Sequence, residues 1–235
     1  MGRIQKAYES RFRTLLQRAG ARRLEPGVRW LAAKACGLSE RRRIPLAEAF
    51  AHVYEDLADK KPFRKTKLSS QAQIFWCDAG LGGLARWLRA AGYEALWQAG
   101  IPDDALLSEA RKLAANVLTT DSLLMERRVV RDGSIAAYWL PPTLRIIEQL
   151  SRVWREFGLT LREPRCMSCG GELRPVEKES VKDRIPPKTY RWLEEYFICR
   201  RCGKLFWRGT HWQRIRIDLE GAATTSAHRC SLERL

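Results

Sequence analysis

Two pairs of cysteines near the C-terminus constrain the fold of this chain more than any other feature. Cys166 and Cys169 form one C-x-x-C pair, Cys199 and Cys202 form a second, and 29 residues separate the pairs. A glycine follows each pair and allows the tight turn that brings both sulfurs to one point. Disulfides and a redox C-x-x-C are alternatives, but a cytosolic chain keeps thiols reduced and a redox motif normally occurs once. The sequence therefore predicts a Cys₄ zinc ribbon over residues 161–220.

The charge of the chain is strongly basic and unevenly distributed. The 235 residues include 43 Lys and Arg against 27 Asp and Glu, a formal net charge of +16. Residues 1–70 carry 17 basic and 7 acidic side chains, residues 71–160 carry 10 of each, and residues 161–235 carry 16 and 10. Two basic flanks around a neutral centre favour a polyanionic partner, with nucleic acid first and an anionic membrane surface second.

Hydropathy gives no indication of membrane insertion or export. The sequence has no run of 18 apolar residues of the kind that spans a bilayer. Its first twenty residues contain no apolar core of the kind found in a signal peptide. We therefore expect no membrane association and a cytoplasmic location.

Residues 1–70 form a basic helical extension according to their apolar periodicity. Three amphipathic runs predict three helices, which end near Gly20, near Gly37 and before a basic linker at residues 60–70. Three short basic helices are compatible with a helix-turn-helix reader or with a packing appendage that coats a face with positive charge. No run stands out as a recognition helix, so we favour packing.

Residues 71–160 alternate short apolar runs with amphipathic runs. The predicted strands are 74–77, 95–97, 116–121 and 134–140. The predicted helices are 81–91, 104–114, 122–128 and 143–159, with Asp103 as a possible N-cap of the second. This alternation predicts a three-layer α/β/α domain in which helices cover both faces of a parallel sheet.

Aspartates follow several of these predicted strands. Asp78 follows the first strand, Asp121 ends the third, and Asp103 and Asp104 open the intervening helix. Ligand sites in open parallel sheets lie beyond the carboxyl ends of the strands. Carboxylates without histidine or thiolate favour Mg²⁺ or Mn²⁺, ions that support phosphodiester hydrolysis.

Each of these residues also has a simpler interpretation. An aspartate after a strand commonly caps a turn or a helix. Arg86 and Arg89 follow Asp78 on the next helix and can either hold a nucleic-acid backbone or remain in solvent. Because the acids occur together in a basic protein, we favour the metal site.

The second cysteine pair begins a run that interleaves basic and aromatic side chains. This pattern suits single-stranded nucleic acid through phosphate contact and base stacking, although the aromatics can instead form the small core of the ribbon. The candidate nucleic-acid contacts here are Arg200, Arg201, Arg208 and Trp212. We expect residues 221–235 to be disordered.

Several of these motifs together resemble the Mut-seven C-terminal family, a PIN-type nuclease domain fused to a zinc ribbon. They are FWCDAGLGGLARWLRAAGY, PDDALLSEA, LTTDSLL, the two C-x-x-C pairs and FWRGTH, in that order. The resemblance covers residues 73–215 and implies a PIN-like fold with metal-dependent RNase activity. It implies Asp78, Asp104 (with Asp103 beside it) and Asp121 as acidic ligands. It also implies zinc on the four cysteines. PIN nucleases often carry a fourth acid, for which Glu126 and Asp132 are nearby candidates.

The sequence thus favours a ribonuclease that uses Mg²⁺ or Mn²⁺ and has RNA as its partner. An RNA-binding adaptor, associated with a ribonucleoprotein and using the PIN-like core as a scaffold, is the alternative. A DNA-binding regulator would require a recognition helix and a dimer, for which we see no indication.

Overall fold

A computed structural model describes residues 2–58, 60 and 73–228. The chain divides into two compact units. The helical unit comprises residues 1–71 and 119–144, and the sheet–ribbon unit comprises residues 72–118 and 145–235. The unit boundary after residue 71 lies next to the predicted one near 70, but no boundary falls near 160, and residues 119–144 group with the N-terminal helices. Apart from residue 60, the predicted basic linker lies outside the described residues.

The helices and strands follow the predicted order. The helices are α1 (Arg3–Arg18), α2 (Leu24–Arg42), α3 (Leu46–Ala58), α4 (Gly82–Ala90), α5 (Asp103–Lys112), α6 (Arg128–Arg131), α7 (Ile146–Phe157), α8 (Pro187–Trp192) and α9 (Thr210–His228). The strands are β1 (Ile74–Cys77), β2 (Glu94–Trp97), β3 (Asn116–Thr119), β4 (Ala137–Trp139), β5 (Leu173–Val176), β6 (Tyr196–Cys199) and β7 (Leu205–Trp207). Short 3₁₀ turns occupy Ala79–Leu81, Leu124–Glu126 and Glu179–Arg184.

Two sheets organise these elements. A parallel four-stranded sheet has the order β2-β1-β3-β4, and a three-stranded sheet has the order β5-β6-β7. Strand β1 pairs in parallel with both β2 and β3, with Cys77 opposite Trp97 on one side and opposite Leu118 on the other. Strand β6 pairs antiparallel with β5 and β7. The predicted α/β class with a parallel sheet is confirmed.

The helical unit has an aromatic core. Five ring pairs among Tyr8, Phe12, Phe50 and Tyr54 have centroids 5.7–6.4 Å apart. Trp139 of β4 meets Tyr8 edge-on at 6.3 Å. All five side chains are buried. The N-terminal helices thus pack on the segment that carries β4, which agrees with the packing role expected from the sequence.

The sheet–ribbon unit buries one face of α7 against its neighbours. Leu150 and Val153 of α7 are fully buried, as is Leu219 of α9, the helix that packs on α7. A left-handed glycine, Gly158, ends α7. A second left-handed glycine, Gly92, follows α4 and ends it where the sequence predicted.

Three local predictions were wrong. Helix α2 continues through Gly37 to Arg42 and ends at the left-handed Arg43, because a glycine inside a helix is tolerated when the flanking residues remain helical. Asp103 lies in the first turn of α5, and Pro102 holds the N-cap position. Residues 221–228, which we expected to be disordered, continue α9, and residues 229–235 lie outside the described part of the chain.

No helix within residues 2–58 and 73–228 combines the length and the apolar character that crossing a membrane requires.

Candidate active site and metal centre

Asp78 lies directly after β1, where the backbone still follows the sheet. Its amide donates a hydrogen bond of 2.9 Å to the Leu118 carbonyl of β3, and its own carbonyl accepts one from Leu81. These bonds fix the backbone of Asp78 between a strand and a 3₁₀ turn, and its side chain is half-buried.

Two glycines after Asp78, Gly82 and Gly83, lie close to side chains of other elements. A Cβ at Gly82 would lie 2.7 Å from the indole of Trp97, and a Cβ at Gly83 would lie 2.6 Å from Ile146. The Trp97 indole N–H also donates to the Ala79 carbonyl at 2.8 Å. The end of β2 therefore packs on the start of α4, and the missing side chain of Gly82 leaves room for the rigid indole.

The two acids of α5 follow β2 after a five-residue loop. Asp103 is half-buried and Asp104 is exposed, both in the first turn of the helix. Acidic side chains in a first turn interact favourably with the helix dipole. This position is therefore compatible with a purely structural role as well as with the predicted ligand role.

Asp121 lies two residues after β3, within the helical unit. Its amide donates to Thr119 Oγ1 at 2.9 Å, and its Oδ1 accepts the Leu123 amide at 2.7 Å. The Trp139 indole donates to the Thr120 carbonyl at 3.0 Å and holds the same loop. One carboxylate oxygen of Asp121 thus stabilises the turn after β3, as the capping interpretation anticipated.

The two candidate fourth acids have other partners. Glu126 forms an ion pair of 3.2 Å with Arg3. Asp132 Oδ1 accepts the amide and the hydroxyl of Ser134 at 2.9 and 2.6 Å. Both carboxylates therefore have a structural explanation within the helical unit.

The four cysteines of the two C-x-x-C pairs converge. The sulfurs of Cys166, Cys169, Cys199 and Cys202 all lie within 4.8 Å of one another. The Cys166–Cys202 and Cys169–Cys199 separations are 3.7 and 3.4 Å. A tetrahedral Zn–S bond of about 2.3 Å requires sulfurs about 3.8 Å apart, so this donor set fits a metal such as zinc.

Backbone turns at both pairs direct the sulfurs inward. Gly170 and Gly203 adopt left-handed φ values of +78° and +69°, and each donates its amide to the carbonyl of the first cysteine of its pair. The amides of Arg201 and Cys202 point at Cys199 Sγ from 3.3 and 3.5 Å. Amide donors of this kind stabilise a thiolate, which is the form that binds a metal.

Arg89 has a different role from the nucleic-acid contact predicted for it. Its side chain is buried, and its Nε donates to the Ala95 carbonyl at 2.7 Å. Its Nη1 donates to the carbonyls of Met167 and Ser168 at 3.2 and 2.9 Å. Burial lowers the pKa of this guanidinium, although an arginine remains charged. Arg89 therefore fastens the first cysteine turn to α4 and β2.

Glu94 holds the second cysteine turn to the same strand. Its carboxylate lies 3.3 Å from Arg201 and 3.9 Å from Arg165. Arg201 also donates to the Cys169 carbonyl at 2.9 Å. Sequence analysis missed Glu94, because an acid at the start of a strand has no spacing that relates it to a distant cysteine pair.

The remaining predicted nucleic-acid residues lie at or near the surface. Arg86 and Arg200 are exposed and Trp212 is half-buried. Arg208 forms ion pairs with Glu163 and Glu195 at 3.6 and 3.3 Å. The ion pairs of Arg201 and Arg208 partly neutralise their charge and weaken the prediction for these two, whereas Arg86 and Arg200 remain candidates.

Cys77 is not among the converging cysteines. It is fully buried in β1, and this burial raises the pKa of its thiol to about 12. A buried, protonated thiol of this kind is a poor metal ligand, so Cys77 is not a candidate for the cysteine centre.

These features define an α/β protein with a parallel sheet and a four-cysteine ribbon that can bind a metal such as zinc. The family model described as the Mut7-C RNAse domain matches residues 73–219, more than half of the chain. The chain therefore belongs to the Mut7-C family, as the order of its motifs predicted. Searches of curated proteins and of solved structures returned no match.

Proposed function

We propose that this protein is a metal-dependent ribonuclease in which Asp78, Asp104 and Asp121 bind Mg²⁺ or Mn²⁺. The observation that carries the proposal is the register of the parallel strands in a chain of the Mut7-C RNAse family. Cys77 stands opposite both Trp97 and Leu118, so the carboxyl ends of β1, β2 and β3 share one edge of the sheet.

Chain connectivity supports the grouping of these carboxylates. The Asp78 amide bonds to the Leu118 carbonyl, and Asp121 follows Leu118 by three residues, which span at most about 11 Å. Helix α5 follows β2 after a five-residue loop and carries Asp104 in its first turn. Three carboxylates that follow three neighbouring strands suit a hard divalent ion.

The roles of the residues follow from their chemistry. The aspartates supply oxygen ligands, and a bound cation would activate water and offset charge on the scissile phosphate. Attack at phosphorus would leave a 5′-phosphate and a 3′-hydroxyl. Arg86, exposed on α4, is placed to contact a phosphate of the RNA backbone. Zinc on the four cysteines would stabilise the ribbon without entering the reaction.

Cleavage of end-labelled RNA tests the proposal. Purified protein is incubated with the RNA with no added divalent cation, and then with Mg²⁺ or Mn²⁺. We expect cation-dependent cleavage that falls by more than about 100-fold in Asp78→Asn and in Asp121→Asn. Asp183→Asn, at an exposed carboxylate of the ribbon, is the matched control. Cleavage by both variants at the wild-type rate would remove the aspartates from the mechanism.

An RNA-binding adaptor is the second candidate. The structural partners of Glu126 and Asp132 favour it, because they leave the acidic set without a clear fourth member. The net charge of +16 supports RNA affinity under either proposal. Tight, salt-sensitive binding of RNA that stays intact with either cation would identify the adaptor.

The cysteine centre has its own test. Metal analysis of the purified chain should give about one zinc per molecule. Cys169→Ser should lose that zinc and destabilise the ribbon, because metal binding and folding of such sites are coupled. Cys36→Ser, at an exposed cysteine outside the centre, should keep both. An unchanged zinc content in Cys169→Ser would exclude the assigned ligand set.

A further inference from the structure

A basic stripe with an exposed tryptophan runs along the outer face of α2. Trp30, Lys34, Gly37 and Arg41 follow one another at intervals of four, three and four residues, so they share one face of the helix. Val28, Leu31 and Ala35 occupy the opposite, buried face. The three long side chains of the stripe cover about 16 Å along the helix axis.

Packing within the protein does not explain why the Trp30 side chain is exposed. Its side chain is 65% accessible, and its neighbours one turn away, Pro26 and Ala33, are small and exposed. The Lys34 ammonium lies 5.8 Å from the centre of its ring. Elsewhere in the described chain, the exposed Trp97 has an explanation, because its indole packs on Gly82 and donates to Ala79.

The cations of the stripe are available to a partner. Neither Lys34 nor Arg41 forms an ion pair with any residue in the described ranges, whereas the nearby Glu25 is paired with Arg13 at 2.8 Å. A Cβ at Gly37 would lie 3.4 Å from Arg41 Nη1, so the Arg41 guanidinium lies back along the helix towards Lys34. Residues 21–43 carry seven basic and two acidic side chains.

We propose that this stripe docks a single-stranded segment of RNA, with one unpaired base stacked on Trp30 and phosphates on Lys34 and Arg41. The proposal rests on the proposed function for the identity of the polymer. A positive stripe is complementary to a phosphate backbone, and an exposed indole beside it offers a surface on which an unpaired base can stack but a base inside a duplex cannot. The helical extension thereby gains a substrate-holding role beyond packing.

The ribbon provides a matched control. Trp192 on α8 is 78% accessible, but its segment, residues 177–195, carries five basic and five acidic side chains. An exposed indole without net positive charge should bind RNA weakly, so loss of Trp192 should have little effect.

Fluorescence anisotropy with a short labelled single-stranded RNA, in buffer without Mg²⁺ or Mn²⁺, tests the docking surface. We expect Trp30→Ala to weaken binding by about 5- to 150-fold, the usual effect of removing a stacking aromatic. The double variant Lys34→Gln with Arg41→Gln should reduce the slope of log affinity against log salt by about 1.4. Trp192→Ala should bind as the wild type does.

Two results would overturn the surface. The first is that Trp30→Ala and Trp192→Ala bind the single-stranded RNA with equal affinity. The second is that Trp30→Ala weakens binding of a duplex of the same sequence as much as it weakens binding of the single strand. Circular dichroism of each variant confirms that the fold is intact. The proposed nuclease fails separately: if Asp78→Asn still cleaves RNA, the mechanism is wrong while the binding result for Trp30 stands.

Discussion

Replacement of Arg89 by methionine should destabilise the protein strongly, although the sequence suggested only a nucleic-acid contact for this arginine. The residue is 5% exposed, and its guanidinium donates three hydrogen bonds of 2.7–3.2 Å to main-chain carbonyls. A hydrogen bond from a charged donor contributes roughly 1.5–3 kcal/mol. Desolvation of the guanidinium offsets part of that gain. We therefore expect Arg89→Met to lower the free energy of unfolding by about 3–5 kcal/mol.

The loss should appear first at the cysteine centre. Two of the three acceptors are the carbonyls of Met167 and Ser168, which lie inside the first cysteine turn. Without the hydrogen bonds from Arg89, that turn loses its attachment to α4, and a chromogenic chelator should extract the metal faster. Arg89→Lys keeps the charge but offers a single nitrogen, so it should give an intermediate effect.

Urea unfolding followed by circular dichroism measures the stability, and Arg86→Met is the matched control. Arg86 lies one turn earlier on the same helix but is exposed, so its replacement should change stability by less than about 0.5 kcal/mol. Equal unfolding midpoints and equal rates of metal release for the two variants would refute the structural role assigned to Arg89.

Two further predictions concern packing and pH. Gly82→Ala places a Cβ 2.7 Å from the Trp97 indole and should lower the free energy of unfolding in urea by about 1–3 kcal/mol. In the control Gly221→Ala, no atom lies within 4 Å of the added Cβ, so α9 should not be destabilised. Equal stability of the two variants would contradict the packing argument. Hydrogen bonds from Arg145 lower the pKa of Glu148 below its ordinary value. The ionised Glu148 therefore stabilises the start of α7 at pH values above its unfolded pKa of about 4.3, and this stabilisation is lost as the pH falls through the folded pKa. Glu148→Gln should therefore be slightly less stable than the wild type at pH 7, and the difference should shrink as the pH falls below about 4. A difference that stays constant as the pH falls would contradict this assignment.

Sequence reasoning was most successful where the signal is local. The C-terminal end of α4 and the turns of the two cysteine pairs depend on glycines at left-handed φ, and such positions can be predicted from the sequence. It was less successful for α2, where Gly37 suggested an end that the flanking residues override. The prediction that Asp103 is the N-cap of α5 was also wrong, because Pro102 occupies that position.

The candidate site shows the same contrast. Strand ends followed by aspartates were predictable, because the alternation of strands and helices defines a parallel sheet with one carboxyl edge. The ion-pair partners of individual charged side chains were not predictable from the sequence. Arg201 and Arg208 looked like free cations in the sequence but form ion pairs with Glu94, Glu163 and Glu195.

The sequence by itself determined the family, the α/β class and the four cysteines that converge, because motif order, hydrophobic period and C-x-x-C spacing are properties of neighbouring residues. Tertiary structure alone decided the role of Arg89, whose carbonyl acceptor Met167 is 78 positions away. It also decided why Gly82 must be glycine, through the indole of Trp97. Whether a side chain meets water, a carbonyl or a ring depends on which distant segments the fold brings beside it, and no local pattern contains that information.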